Sequence, residues 1–286
     1  MGLGDEIIVT ALVKKLYRTT GKPTAIINSK NLLRWSAVWE NNPYILNKKD
    51  TLGDRKLFPN LPNDSYNVLA SGNGGNRPYI DYEKSRHHQY YKWKEWDIEP
   101  GEIFLSEKEL ETGRGFNDYF SAFGEHPVVI IEPTIKGHLQ SNKDWGINNW
   151  IKLVQLLNKH KIFPVQLEHF YSNIKLTPHP YEVHSIREMF ACLSGADMII
   201  SHEGGMHHAA AALGIKGIVI FGGYISPKIT GYPIHTNLVG HDIEPQVSDY
   251  FCGNLIPCNH CHIAMNSILP EKVCYETLKI LEKKYG

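Results

Sequence analysis

Short apolar stretches that end in glycine, each followed by a segment with helical spacing, constrain this chain more than any other feature. The pattern is clearest at 198–223. There the apolar run MII (198–200) leads into Glu203-Gly204-Gly205, then an alanine-rich segment ending at Gly214, then GIVIFGG (217–223). This reads as strand, glycine turn, helix and strand. Adjacent parallel strands would bring both glycine turns to the edge where open α/β sheets bind ligands. Gly204 and Gly205 lack a Cβ, so an anion can approach the peptide N–H groups with the positive end of a helix dipole behind them. Such a turn suits a diphosphate, with Glu203 as acceptor for a sugar or ribose hydroxyl. The competing explanation is a βα turn whose glycines serve packing alone.

The same alternation runs along the chain. Ile7, Ile8, Ala11, Leu12 and Leu16 share one helix face that stops at Gly21. TAIIN (24–28) reads as a strand, NLLRWSAVWENN as a helix, and NVLASG (67–72) as a strand running into glycines. Residues 107–123 look helical. A second series begins at HPVVIIEP (126–133) and continues through a loop from Lys136 to Trp145 into a helix over 148–160. FPVQLE (163–168) is a strand, IREMFACLSGA (186–196) a helix, and MIISHE, GIVIFGG and HTNLVG are further strands. The last helix starts near Pro270, an accepted first-turn residue. Two such series predict two Rossmann-like domains, 1–124 and 125–286.

Composition narrows the function. Lys plus Arg and Asp plus Glu both total 30, so no net field favours nucleic acid or anionic membrane. The apolar runs are too short to span a bilayer, and the N-terminus lacks a signal-peptide pattern. The expectation is a cytoplasmic protein that binds no nucleic acid. Many of the 15 tyrosines and 6 tryptophans cluster at 79–96, as a stacking surface or as amphipathic packing.

Three stretches in order, GLGDEIIVTALVKKL (2–16), KDWGINNW (143–150) and SGADMIISHEGGMHHAAAALGIKGIVIFGG (194–223), resemble glycosyltransferase family 9, the heptosyltransferase-like enzymes of GT-B fold. The resemblance is closer to the autotransporter-heptosyltransferase-like branch than to the lipopolysaccharide enzymes. It implies two Rossmann-like parallel-sheet domains facing a cleft, and inverting transfer of a sugar, with heptose among the candidates, from a nucleotide-diphosphate sugar. An ADP-sugar is the donor the family favours, and the acceptor is a glycan or a protein hydroxyl. Carried onto this chain, the acidic residue of the N-terminal G-x-G-D turn is Asp5, the catalytic base. The donor-phosphate lysine is Lys143. Glu203, Gly204 and Gly205 hold the donor, with Met206 and His207 at the helix start.

Two departures stand out. The lipopolysaccharide enzymes have Asp-Thr/Ser-Gly where this chain has Glu203-Gly204-Gly205. The family also opens with a strand before G-x-G-D, and that strand is apparently missing here.

Each assignment has a plainer rival: Asp5 as a first-turn carboxylate, Lys143 as a solvated loop cation, Glu168 at the end of strand 163–168 as an ordinary strand-end carboxylate rather than a donor-site acceptor. Asn76 and Arg77 are the candidates for an anionic acceptor, with Arg77 capping a turn as the alternative. Lys143 and the helix N-terminus would supply charge stabilisation with no divalent metal needed for catalysis, since no Asp-x-Asp pair is present.

Four of the five cysteines, Cys252, Cys258, Cys261 and Cys274, follow C-x5-C-x2-C-x12-C. Cys258 and Cys261 have metal-knuckle spacing, and four thiols complete a tetrahedral site for structural zinc or iron. His260 and His262 are possible substitutes for one ligand, and free thiols are the alternative. Some relatives in the autotransporter branch carry a cysteine-bound iron, which agrees. Cys192 belongs to an apolar helix face. A GT-B nucleotide-sugar epimerase and a catalytically silent, metal-stabilised oligomerisation module are the rival functions. An NAD-dependent Rossmann enzyme is disfavoured, because no G-x-G-x-x-G follows a strand.

Overall fold

A computed structural model describes residues 2–47 apart from 29 and 31, 78–82, 99–122, 127–135, 138–240 apart from 171, 173, 178 and 179, and 251–285 apart from 255. NVLASG, Asn76, Arg77 and most of the aromatic cluster at 79–96 lie outside these residues. The chain divides into compact units 1–104 and 105–286. Elements are numbered in chain order among the described residues, where no helix is long and apolar enough to cross a membrane.

In the first unit, helix α1 (Leu3–Thr20) buries Ile7, Ile8, Ala11, Leu12 and Leu16, the face expected from their spacing, and ends at Gly21. Strand β1 (Ala25–Ile27) pairs in parallel with β2 (Tyr79–Asp81), Ile26 opposite Ile80. The helix expected over NLLRWSAVWENN does not form. Asn28 Oδ1 accepts the N–H groups of Lys30 and Leu32, at 2.9 and 3.0 Å, and the Arg34 N–H donates to the Ile26 carbonyl. The side chain thus gives the backbone a turn that competes with a helix, and the chain runs back beside β1, with Leu33 bridging Ile27. Only one 3-10 turn, Ala37–Trp39, remains. Glu6 holds this path by an ion pair to Arg34 (2.9 Å) and through its carbonyl, which accepts the Trp39 indole N–H (2.7 Å).

The second unit carries a six-stranded parallel sheet. Its strands are β3 (Val129–Glu132), β4 (Val165–Glu168), β5 (Tyr181–Glu182), β6 (Met198–His202), β7 (Gly217–Gly222) and β8 (His235–Val239). Their spatial order is β5-β4-β3-β6-β7-β8. Counted from β3 this is 3-2-1-4-5-6, the doubly wound order, whose switch point falls between β3 and β6. Residues of β3, β6 and β7 are buried throughout, as in parallel sheets covered on both faces. Helix α2 (Glu107–Ser121), which the sequence placed with the N-terminal half, packs here against α4 (Ile186–Ser194). The two backbones cross at Gly113 and Gly195, where a Cβ on Gly195 would come within 2.0 Å of the Gly113 carbonyl oxygen. Helix α3 (Ile147–Lys159) buries Trp150, Leu153, Val154 and Leu157 and packs against α8 (Pro270–Tyr285). Between them in sequence lie α5 (Gly205–Ala212), the short α6 (Pro227–Thr230) and α7 (Asn259–Asn266). Helix α7 forms although 250–266 carries little apolar periodicity.

Candidate functional site

At the carboxyl ends of β3 and β6 two buried carboxylates, Glu132 and Glu203, stand at the switch point. The Glu203 N–H donates to the Ile220 carbonyl (3.1 Å), which fixes the turn before α5 begins at Gly205. Lys143, at the end of the 3-10 turn His138–Lys143, forms an ion pair with Glu203. Its ammonium also lies 4.8 Å from the centre of the Tyr224 ring. Burial is the largest single influence and would raise the Glu203 carboxyl, but the charge and hydrogen bond of Lys143, with His207 and a hydrogen bond from Thr230, together outweigh it and hold the group below its ordinary value.

Gly204 is extended (φ 166°), and a Cβ there would meet nothing within 4 Å. Neither backbone conformation nor packing calls for glycine at this position. The second glycine pair behaves differently. Gly222 has φ +59° and a Cβ there would meet Met265, while a Cβ on Gly223 would meet His260 at 2.7 Å. Packing against α7 therefore accounts for this second glycine pair.

Four histidines surround the turn, and burial holds each below its ordinary pKa: His202 down to about 3, His235 down to about 4, His207 and His208 by direction. His207 Nδ1 accepts the Gly204 N–H (2.9 Å) and its Nε2 meets the Thr230 carbonyl (2.9 Å), which assigns a neutral ring protonated on Nε2. His235 Nε2 donates to the His207 carbonyl at 3.1 Å, and His208 Nδ1 bonds the Tyr232 hydroxyl at 2.7 Å. Glu203, His207 and His208 lie close enough to be considered as metal ligands. Both His207 nitrogens are already engaged and Glu203 is neutralised by Lys143, so these residues serve to set the turn.

Each residue of Asn142-Lys143-Asp144-Trp145 has its own task. Asn142, buried, donates to the carbonyls of Asn254 (2.7 Å) and Ile256 (2.8 Å), and its Oδ1 accepts the Cys258 N–H (2.9 Å). Asp144 accepts the Gly146 N–H at the start of α3 (2.8 Å). Trp145 is in the core, its indole N–H on the Ile268 carbonyl (2.7 Å) and its backbone N–H on His202 Nε2 (3.1 Å). Sequence reading found Lys143 but missed Asn142 and Tyr224, whose partners are remote in the chain. It also missed Glu132, which accepts the Thr134 N–H (2.8 Å) and meets His169 Nε2 at 3.2 Å, raising the His169 pKa. The one available signal was Glu132 as the only charge ending the apolar run of 128–131.

Among the other expected residues, Glu168 ends β4 as foreseen but is partly exposed and paired with Lys175 at 2.8 Å. Met206 and His207 are buried in the first turn of α5. Asp5, in the first unit, accepts the Gly2 N–H (3.2 Å) in the first turn of α1. Asn76 and Arg77 lie outside the described residues.

The thiols gather with one correction. Cys252 Sγ lies 3.6 Å from Cys258 Sγ and 3.0 Å from Cys261 Sγ, and His260 completes the group. Cys274 does not join it; it is buried among Trp145, Leu153 and Val273, because its place on α8 faces the apolar core. Burial opposes ionisation of Cys258, but hydrogen bonds from Cys261, Cys252 and Asn254 outweigh it and lower the thiol. Sulfurs around a tetrahedral ion with bonds of about 2.3 Å lie about 3.8 Å apart. The three thiols and His260 fit a Cys3His structural site for zinc or iron, slightly contracted. Cys192 is core, its thiol pushed up to about 12 by burial.

Comparison with known proteins places this architecture. The family described as glycosyltransferase family 9 (heptosyltransferase) matches residues 91–247, more than half of the chain. A family 9 glycosyltransferase from Veillonella parvula aligns over 99% of this chain and 95% of its own, at 13% identity and a TM-score of 0.62. The ADP-heptose lipopolysaccharide heptosyltransferase II of E. coli aligns over 66% of this chain and 56% of its own, at 14% identity and a TM-score of 0.48. The iron-containing dodecameric glycosyltransferase TibC of enterotoxigenic E. coli H10407 aligns over 56% of this chain and 48% of its own, at 16% identity and a TM-score of 0.44. The chain spans about half the length of these two E. coli proteins. No curated protein matches it in sequence. With a doubly wound sheet, the KDW and EGG stretches inside the matched region, and a fold shared end to end with the Veillonella protein, the chain belongs to glycosyltransferase family 9 and has its α/β, GT-B fold.

Proposed function

We propose that this protein is an inverting glycosyltransferase that moves a sugar from a nucleoside-diphosphate sugar to an acceptor hydroxyl. The observation that carries the reading is the pairing of Lys143 with the buried Glu203 beside the N-terminus of α5, at the switch point of the second unit's sheet. A cation and a helix N-terminus at one point supply what a departing diphosphate needs. The acceptor oxygen attacks the anomeric carbon as Asp5 takes its proton. The bond from that carbon to the diphosphate breaks, and the leaving group keeps the electron pair beside Lys143 and the first N–H groups of α5. A single displacement inverts the anomeric centre. Glu203 orients the ammonium and accepts from the sugar. In this reading Lys143 and the helix fill the role that a divalent ion fills in other transferases, and Cys252, Cys258, Cys261 and His260 hold a zinc or iron ion whose contribution is to tie the loop to α7. The donor is an ADP-sugar, the heptose named for the E. coli relatives included; the acceptor is a glycan or protein, and self-association is part of the proposal.

A panel of nucleoside-diphosphate sugars in a thermal-shift assay tests it, since a ligand at 100 times its Kd adds about 2.7 kcal/mol of apparent stability. Asp5→Asn is expected to abolish transfer and keep donor affinity within a few-fold, whereas Lys143→Ala is expected to weaken both. Wild-type turnover in Asp5→Asn would remove it as the base. A product formed from the nucleotide sugar alone would point to an epimerase.

A further inference from the structure

We propose that Asn142 is a positioning residue for the diphosphate end of the donor site, coupling the thiol cluster to the Lys143 ammonium. The inference rests on the reading of Lys143 as a donor-phosphate contact. Asn142 is 5% exposed, and both amide N–H donors and its carbonyl are committed to one short segment: the carbonyls of Asn254 and Ile256 and the N–H of Cys258. That segment joins Cys252 to Cys258, so gathering or releasing the thiols moves the atoms that Asn142 grips. Lys143 is the next residue.

A second route runs from the same loop. The Cys252 N–H donates to the Gly223 carbonyl (3.1 Å) and the Gly253 N–H to the Tyr224 carbonyl (3.0 Å). The Tyr224 ring in turn stands against the Lys143 ammonium. The thiol loop therefore holds Lys143 both through its preceding residue and through the ring beside it. On the other side Trp145 is fixed independently by Ile268 and His202. What the cluster sets is the N-terminal approach to Lys143, hence the direction of its ammonium between Glu203 and an incoming phosphate.

A double-mutant cycle read by calorimetric binding of inorganic pyrophosphate and of ADP tests the coupling. Asn142→Ala and Lys143→Ala are each expected to weaken binding about tenfold or more, while the double variant binds within about twofold of Lys143→Ala. Additive losses, or wild-type affinity in Asn142→Ala, would overturn the proposal. Should Asn142→Ala not fold, the wild-type protein gives a second reading. Coupling is reciprocal, so saturating pyrophosphate slows iodoacetamide labelling of Cys252 and Cys258 several-fold, and unchanged labelling overturns the proposal. A wild type that binds neither pyrophosphate nor ADP overturns the proposed donor site as well; binding with an additive cycle overturns only the role of Asn142.

Discussion

At the scale of single residues, the charge at Lys143 decides the state of Glu203. The Glu203 side chain is 5% exposed, and against that burial the ammonium is the strongest of the groups that keep its carboxyl below the ordinary value, ahead of His207 and Thr230. Lys143→Ala removes that compensation, and burial then raises the carboxyl. In the wild type the pair's contribution is full above the ordinary carboxylate pKa and fades as pH falls. In the variant the sign reverses: stability falls as pH rises and an unpaired charge must form. The expected cost is about 3 kcal/mol at pH 8 and less at pH 5, by urea unfolding. A cost independent of pH would mean that Glu203 is not responsible. Cys274 offers a complementary test: Cys274→Ala is expected to keep full metal content by elemental analysis, because the residue lies in the core and outside the thiol group. It is also expected to lose about 1 kcal/mol of stability from lost packing. Loss of metal would return Cys274 to the ligand set.

Between elements, the junction of α2 and α4 is fastened by Arg187, which donates to both Glu109 oxygens at 2.7 and 2.6 Å. Glu109 also accepts the Ser106 N–H at the start of α2 (2.7 Å), so one carboxylate caps a helix and ties it to its neighbour. The Arg187 hydrogen bonds hold its carboxyl down to about 2 from 4.5. A depressed carboxylate contributes stability above its unfolded pKa and loses it as pH falls through the folded one, here from 4.5 toward 2. Glu109→Gln is therefore expected to cost about 2 kcal/mol at pH 7 and little near pH 2. Urea midpoints at the two pH values decide it; an equal shift at both would show that packing, not charge, is lost. The helices were legible because their apolar faces repeat at i, i+3 and i+4, as Trp150, Leu153, Val154 and Leu157 do in α3. The path of NLLRWSAVWENN (31–42) was not, because Asn28 and Glu6 override its helical pattern from outside it.

For the whole molecule, the division at 104/105 gives the second unit its own sheet, core and candidate donor site. A fragment of residues 105–286 is expected to unfold cooperatively and to bind pyrophosphate. A fragment starting at 125 lacks α2, bares the α4 surface at Gly195 and leaves the buried Arg187 without its carboxylate, so it is expected to be several kcal/mol less stable or unfolded. Circular-dichroism melts of the two fragments compare them. Equal stability would place α2 outside the folding unit.

By itself the sequence determined the alternation of strands and helices, the glycine turn at 203–205 and, of the four cysteines it grouped, the gathering of three. These are local facts, carried by side-chain period, residue type and short spacing. Only the tertiary structure decided that β3 and β6 lie side by side, which sets Glu132 opposite Ser201, two residues before Glu203. It also exchanged Cys274 for His260, assigned Gly222 and Gly223 to packing against α7, and put Asn142 between the thiol loop and Lys143. Periodicity records which side of an element is buried. It carries no record of the element that buries it, since that follows from strand order and from hydrogen bonds between residues far apart in the chain.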